Sequence, residues 1–186
     1  MRELTALAAF AAATAVACAP KDSSGELRVV VTIPPLAGFV DRLSPGPTEI
    51  TILIPPGASP VTHEPTLSDR RAAARADLYV SVGHPALTWE RSWLTQLTES
   101  RAGAGRVHAA DGCEFDRDDP HVWLSTSCAR SMASAIAASL AGARPGQRKA
   151  IEANLKTLTA VIDSVLRAKR GRQLQQPPDA SKPSAE

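Results

Sequence analysis

The chain lacks three features that point directly to a function: a strong net charge, many aromatic residues and a long internal apolar run. Its 186 residues include 21 basic and 19 acidic ones, a net charge of +2, which gives no reason to propose a nucleic-acid partner. We interpret the aromatic share of 4% as compositional bias rather than as a functional signal. None of the three cysteines forms a C-x-x-C pair, which argues against redox catalysis.

The N-terminus carries an uncharged, alanine-rich stretch over residues 4–17. This stretch has the length of a signal-peptide core and falls short of the roughly 20 residues that span a bilayer. It ends in the letters AVAC, which resemble a bacterial lipobox with Ala where Leu is usual. We therefore predict a signal peptide over 1–17, a lipid on Cys18 that anchors the exported protein to a membrane, and a polar tether over 18–26. Plain cleavage after Ala17 is the alternative.

Two further cysteines, Cys113 and Cys128, lie in the predicted exported domain. Export would place them in an oxidising compartment, where disulfides form and persist. Their separation along the chain is compatible with a bridge, whose formation depends on the distance between the two side chains. Two independent thiols are an equally good interpretation, so the pair is a candidate disulfide.

Short apolar runs alternate with helical segments from residue 27 onward, and the first two runs are stopped by Pro-Pro pairs, as is typical of strands that end in a turn. Strands are predicted at 27–33, 49–54, 77–82 and 106–110, and helices at 36–43, 67–76, 89–100 and 127–141. Because mostly apolar strands alternate with helices, we predict an α/β domain over 27–142 with a four-stranded, mainly parallel sheet flanked by helices.

The C-terminal part of the sequence predicts one long helix. Beyond Pro145, apolar residues recur at steps of four and three, at Ile151, Leu155, Leu158, Ile162 and Val165. That spacing places them on one stripe of an amphipathic helix over 147–169, within a helical unit over 143–170 that needs a surface to lie against. Gly171 is predicted to end this helix, and the Gln-, Pro- and Ser-rich tail over 171–186 is predicted to be disordered.

The residues most able to carry chemistry are the four histidines, His63, His84, His108 and His121. Three of them lie in loops that follow predicted strands. Loops at the carboxyl ends of an open α/β sheet converge on the ligand crevice, and neutral imidazole binds zinc and several other divalent ions. His108 lies within an apolar, strand-like stretch and is predicted to be a core or edge residue.

His121 has the most informative surroundings of the four. Pro120 restricts the approach of the chain, and Asp118 and Asp119 are carboxylates that attract a cation and can orient an imidazole. The apolar residues 122–124 anchor the far side of the segment. By residue type alone, a loop histidine that merely caps a helix is the alternative.

The segment 119–125, DPHVWLS, closely resembles the DPHVWLSP signature of the metal-binding receptors of bacterial zinc and manganese ABC importers, the ZnuA/TroA-like family. Further stretches resemble the family in the same order, at 29–39, 57–60, 64–69, 76–80 and 89–90, and in the long helix from 147. The resemblance implies a substrate-binding lipoprotein rather than an enzyme, in the periplasm or on the outer face of the cell membrane. It would deliver Zn²⁺ or Mn²⁺, as transported ligand, to the permease of an ABC importer.

The same resemblance implies that His121 is a metal ligand. In the family's first loop the ligand histidine directly follows the proline, whereas here Val61 follows Pro60 and His63 comes two places later. Positions two apart on an extended chain face the same side, so His63 stays a candidate ligand. His84, which directly follows a predicted strand, is the natural substitute and the third candidate.

Family members are about one lobe longer, and that lobe supplies a further histidine and a carboxylate. We expect this chain to hold the N-terminal lobe and the long helix only, so the alternative function is an interaction module without tight metal binding that self-associates through the long helix. A metal-dependent hydrolase with Glu64 as base is the least supported function. The short acidic region 109–119 lacks the histidine-rich loop of many zinc receptors but does not select manganese.

Overall fold

The structure, a computed structural model, describes residues 25–59, 63–99, 101, 103–114 and 119–175. The predicted signal peptide, Cys18, most of the predicted tether and the last eleven residues of the predicted tail lie outside the described residues. Within the described ranges, no helix combines the length and the apolar character that crossing a membrane requires.

Four strands form one parallel sheet in this part of the chain: β1 (Leu27–Val31), β2 (Thr48–Ile52), β3 (Leu78–Ser81) and β4 (Gly105–His108). Their order across the sheet is β2-β1-β3-β4, and every neighbouring pair is parallel. In the register, Val30 lies opposite Thr51 on one side and Tyr79 on the other. The predicted α/β fold is confirmed, and the carboxyl ends of the strands meet at one edge, called the carboxyl edge below.

The α-helices of the described chain are α1 (Pro34–Leu43), α2 (Leu67–Arg75), α3 (Thr88–Glu99), α4 (Thr126–Ala143) and α5 (Arg148–Gln175). Short 3₁₀ turns at Val122–Leu124 and Pro145–Gln147 precede α4 and α5. Each predicted strand and helix exists, with ends that differ from the prediction by at most two residues apart from the far end of α5.

The side chains of neighbouring strand residues point to opposite faces of the sheet and build two apolar cores. Val31 and Val80 belong to the larger core, which α1, α4 and α5 cover. Val30 and Tyr79 belong to the smaller core, which α2 and α3 cover. Helices on both faces bury the sheet and leave its carboxyl edge to the connecting loops.

Helix α1 begins at Pro34, two residues before its predicted start. The Pro-Pro pair at 34–35 was expected only to stop β1, but it also opens the helix. Proline suits the first turn because its φ is already helical and its missing N–H would have no partner there. The buried residues Leu36, Val40 and Leu43 then follow at steps of four and three and face the core.

The prediction that Gly171 ends the long helix is wrong, because α5 continues to Gln175. Glycine inside a helix costs about 1 kcal/mol relative to alanine. This cost destabilises a helix locally but is small enough for the helix to continue. The neighbouring Arg170 and Arg172 are good helix formers and favour propagation through the glycine. The predicted disorder of the tail is therefore wrong over 171–175.

The apolar stripe of α5 packs against α4 and α1 along its first four turns. Ile151 is 1% exposed and Leu158 is 8% exposed, and Ile162 packs partly buried against the same core. Val165, at the far end of the stripe, is 44% exposed. The predicted amphipathic helix is thus present, but its stripe leaves the core about one turn before the last predicted position.

A buried arginine joins the junction of α4 and α5 to the start of the sheet. Arg144 is 4% exposed, and its Nη2 donates hydrogen bonds to the carbonyl oxygens of Gly25 at 2.6 Å and Pro47 at 2.8 Å. Its Nη1 donates to Gln147 Oε1 at 3.3 Å. The guanidinium therefore satisfies backbone acceptors from the segments that lead into β1 and β2.

We expect Arg144→Met to lower the free energy of unfolding by about 1–3 kcal/mol, because it removes the charged hydrogen bonds from Arg144 to the carbonyl oxygens of Gly25 and Pro47. Urea denaturation of the two proteins measures the difference. Arg148→Met, at an exposed position on the first turn of α5, is the matched control and should stay within about 0.5 kcal/mol. Equal losses in the two variants would contradict the assigned role of Arg144.

Candidate metal centre

The carboxyl edge brings the loops of three histidines to one side of the sheet. His63 lies in the connection after β2, His84 three residues after the end of β3, and His121 in the connection after β4. Because the strands are parallel, these connections all begin at the same edge. Each histidine is held in a different way.

His121 is oriented by a carboxylate of its own segment. One oxygen of Asp119, Oδ1, lies 2.8 Å from His121 Nδ1 and accepts the His121 backbone N–H at 3.0 Å. The backbone bond first, and the ring second, hold the pKa of Asp119 below its usual value. A neutral ring that donates Nδ1–H to this carboxylate keeps its lone pair on Nε2, the arrangement of metal-binding histidines.

The ring of His121 is accessible from solvent. Its side chain is 57% exposed, and it lies edge-on to Trp123 with 5.3 Å between ring centroids. Val122 beside it is buried and fixes the segment in the core. Next to the ring is a depression of about 230 Å³ whose walls include Asp119, Glu114 and Cys128. Asp118, which the sequence also placed near this site, lies outside the described residues.

His84 is a buried residue of the turn after β3. It is 2% exposed, and its Nδ1 accepts the backbone N–H of Ala86 at 3.1 Å. A neutral ring that accepts at Nδ1 carries its proton on Nε2, so ligation through Nε2 requires the ring to give up this bond. His84 also makes the last and smallest contribution to the lowered pKa of Asp119, so the loops after β3 and β4 are electrostatic neighbours.

His63 lies against an aromatic pair at the start of α3. Its ring centroid is 5.8 Å from that of Trp93, which lies 5.7 Å from Trp89. The buried Nε2 of His63 and Nε1 of Trp89 have no hydrogen-bond partner among the described residues. A reciprocal capping box between Thr66 and Asp69 fixes the loop where it enters α2. The buried Nε2 of His63 is therefore available to a ligand without the loss of a hydrogen bond within the described chain.

The described residues supply these imidazoles separately and do not form a closed cage. No group of three or more His, Cys, Asp or Glu side chains in the described ranges is arranged to hold an ion. His108, predicted to be a core or edge residue, is an exposed residue of the outer strand β4. Its Nδ1 lies 2.6 Å from Ser81 Oγ.

The cysteines of the candidate disulfide are neighbours at the base of the His121 loop. Cys113 and Cys128 are free thiols. Burial, followed by a hydrogen bond to Cys128, raises the pKa of the Cys113 thiol to about 12. Cys128 also lies 3.8 Å, sulfur to oxygen, from the carbonyl of Glu114. The bridge stays a prediction, and the segment between the two thiols contains both Asp119 and His121.

A family model described as zinc-uptake complex component A, periplasmic (ZnuA), matches residues 29–182. The chain belongs to the ZnuA family. The match includes the DPHVWLS segment and all five helices, and it confirms the resemblance proposed from the sequence. Asp119 and His121 lie in the DPHVWLS segment, which carries the resemblance to the ZnuA family.

Curated relatives of this ZnuA-family chain are metal-transport lipoproteins by name. The manganese ABC transporter substrate-binding lipoprotein PsaA of Streptococcus anginosus is 27% identical over 166 residues, 81% of this chain and 54% of the relative. The metal ABC transporter substrate-binding lipoprotein ScbA of Streptococcus cristatus is 25% identical over 174 residues, 87% and 56% of the two chains. The chain therefore spans about half the length of the curated relatives it matches.

Solved structures agree with the family. A crystal structure of ZnuA superposes with a TM-score of 0.71 at 30% identity, covering 83% of this chain and 61% of that one. A zinc-bound deletion mutant of ZnuA gives 0.72 at 29% identity, with coverages of 83% and 60%. A manganese-bound periplasmic metal binding protein from Candidatus Liberibacter asiaticus gives 0.70 at 20% identity, with coverages of 81% and 58%, which shows the shared fold alone.

Glu90 is a residue of this edge whose role the sequence did not reveal. It is 2% exposed, and its carboxylate accepts the hydroxyl of Thr32 and the backbone N–H groups of Val82 at 2.9 Å and Gly83 at 2.8 Å. Burial raises the pKa of Glu90 despite these bonds. The signal that could have found it is a carboxylate in the first turn of a helix that follows a Gly-containing turn.

The raised pKa of Glu90 predicts a pH-dependent stability. Above its ordinary value of 4.5, and up to the raised folded-state value, the folded protein binds more protons than the unfolded chain. The free energy of unfolding therefore falls as pH rises through this window. Urea denaturation between pH 4 and 7 measures the decline. We expect the free energy of unfolding of Glu90→Gln not to fall with pH in this way, even if the variant is less stable overall. Exposed Glu64→Gln is the control, and a wild-type slope retained in the Glu90 variant would refute the assignment.

Proposed function

We propose that this chain is a substrate-binding component of an ABC-type divalent-metal import system and that it holds Zn²⁺ or Mn²⁺ as cargo at the carboxyl edge. The observation that carries the proposal is the Asp119–His121 pair, in which a carboxylate engages Nδ1 of a side chain that is 57% exposed. Membership of a family of transport proteins supports binding and delivery, rather than catalysis, as the task of the site.

His121 is the proposed anchor ligand. Its imidazole is exposed, and the Asp119 carboxylate both fixes its orientation and adds negative charge close to the ion. Glu114 borders the same depression and offers a further oxygen donor. These features fit a divalent cation bound through nitrogen and oxygen, the donors that zinc and manganese accept.

His63 and His84 are the further proposed ligands, with different expected weights. The Nε2 of His63 is free of hydrogen bonds within the described chain, so ligation costs it no existing partner. His84 would have to release the Ala86 N–H first, which costs about 1 kcal/mol for a typical hydrogen bond. We therefore expect replacement of His63 to weaken metal binding more than replacement of His84.

The remaining coordination positions are open in this proposal. Two or three imidazoles leave sites for water or for groups beyond the described residues, as in metal centres that exchange a ligand. An ion held in this way can be handed on, which suits cargo for a membrane permease. A lipid on Cys18 would keep the chain on the membrane, in the periplasm or on the outer face of the cell.

A second candidate function is an interaction module without tight metal binding. The observations that favour it are the absence of a three-ligand group in the described residues and the exposed Val161 and Val165 on α5. Such a module would self-associate through α5. It differs from the first proposal in having a melting temperature that does not respond to Zn²⁺ or Mn²⁺.

Calorimetric titration of Zn²⁺ and Mn²⁺ into the chain beginning at Ala19 tests the first proposal. We expect saturable heat with at least one ion, and added stability of about 2.7 kcal/mol at an ion concentration of 100 times Kd. His121→Ala should abolish the heat. Asp119→Asn, which removes the charge that orients the ring, should weaken binding by about 10–100-fold.

Two substitutions control that titration. His108→Ala removes an exposed imidazole from the outer strand, and Asp111→Asn removes an exposed carboxylate near the same loop; both should bind as the unaltered chain does. Absence of heat with either metal rejects metal reception by this chain. Undiminished binding in the His121 variant rejects the proposed site while leaving metal binding in place.

We also propose that Cys113 and Cys128 form a disulfide after export. Exchange with oxidised glutathione would join the two sulfurs and release two molecules of the reduced thiol, with one proton leaving each cysteine. The bridge would close a loop of about 15 residues, which contributes about 3 kcal/mol in the chain-entropy description. It would also fix the base of the segment that holds Asp119 and His121.

Alkylation and mass spectrometry of the chain equilibrated with oxidised glutathione test this bridge. We expect neither cysteine to be alkylated and the melting temperature to rise relative to the Cys113→Ser and Cys128→Ser double variant. The same double variant supplies the unbridged reference. Full alkylation of both thiols after equilibration would contradict the proposal.

A further inference from the structure

We propose that the cavity between α3 and the β3–β4 side of the sheet is a binding site for a small organic carboxylate. The cavity encloses about 500 Å³, within the range of small-molecule sites. It lies on the α3 face of the sheet, whereas the depression beside His121 is smaller and shares no lining residue with it. This carboxylate pocket goes beyond the proposed metal function and does not depend on it.

The basic side of the carboxylate pocket is formed by Arg91 from α3 and by Arg106 and His108 from β4. Neither arginine forms an ion pair within the described chain. Arg106 donates one bond, from Nη2 to the carbonyl of Thr98 at 2.7 Å, and Arg91 donates a long one to the carbonyl of Pro85 at 3.4 Å. Each guanidinium carries five donors, so most of them are available to an anion.

Glu90, the carboxylate of the described wall, forms no ion pair with either arginine. Its oxygens accept hydrogen bonds from the hydroxyl of Thr32 and the N–H groups of Val82 and Gly83. His108 holds its position through Nδ1, which lies 2.6 Å from the buried Ser81 Oγ. Its Nε2 remains as a donor or acceptor toward a ligand.

Apolar side chains line another part of the pocket. Leu94 contributes from α3 and Tyr79 from β3, and both belong to the smaller core. A guanidinium pair beside such a wall matches a molecule with one carboxylate and a compact apolar body, because the charge is bound by bidentate hydrogen bonds and the body is removed from water. An inorganic anion would use only the first of these contacts.

Close packing between the β3–α3 turn and β4 fixes one wall of the pocket. Gly83 has φ +82°, and a Cβ at this position would lie 2.6 Å from the Cβ of His108. Only glycine therefore allows this turn to approach the outer strand so closely. The approach sets the distance between His108 on β4 and the arginine of α3.

Titration of phenylacetate into the full chain, with its neutral isostere phenylacetamide and with inorganic phosphate as comparison probes, tests the inference. We expect saturable binding of phenylacetate and binding of the other two that is at least about tenfold weaker. Arg91→Gln and Arg106→Gln should each weaken phenylacetate binding by about tenfold or more. Arg71→Gln, at an exposed position on α2, is the matched control and should change nothing.

Circular dichroism separates loss of the site from loss of the fold, since Arg106 also bonds the end of α3. If the Arg106 variant unfolds, phenylacetate binding by the variant of the exposed Arg91 alone tests the site. Three results would overturn the inference: no saturable phenylacetate binding up to about 10 mM, where affinity is below about 3 kcal/mol; equal binding of the amide or of phosphate; or full affinity in folded Arg91→Gln.

Discussion

A carboxylate at 2% exposure sits where the ends of β1 and β3 meet the first turn of α3. Glu90 accepts hydrogen bonds from Thr32 after β1 and from Val82 and Gly83 after β3, so one side chain joins two strands and a helix. Removing this charge from water is costly, and the three donors offset much of that cost. The turn that carries His84 and the glycine that approaches β4 both start from this anchor, so the geometry of the carboxyl edge depends on it.

The three loops of that edge hold their histidines by different physical means. A carboxylate of the same segment orients His121, a backbone N–H of the same turn engages His84, and the ring of Trp93 packs beside His63. These are local arrangements, and each keeps its ring in place without help from the others. An edge built in this way carries separate imidazoles rather than a closed cage among the described residues.

The sequence predicted the sheet, its helical cover and the family because those depend on signals that are local or contiguous. Apolar runs between Pro-containing turns located the strands, the four-and-three spacing located α5, and seven consecutive letters located the ZnuA resemblance. The wrong helix boundaries lie where one residue was interpreted without its neighbours. Pro34 begins α1 as well as ending β1, and α5 continues past Gly171 because the residues around it are good helix formers.

The sequence by itself determined the strands, the helices and the family, and it predicted that candidate histidines follow strand ends, because parallel topology sends every strand-following loop to one edge. Tertiary structure alone decided the state of each side chain. It buried His84 and engaged its Nδ1, exposed His121 beside Asp119, brought Cys113 against Cys128, and made Glu90 an anchor. The burial and hydrogen bonding of these side chains depend on partners distant along the chain or on the orientation of one ring. Composition and sequence spacing do not determine either of them.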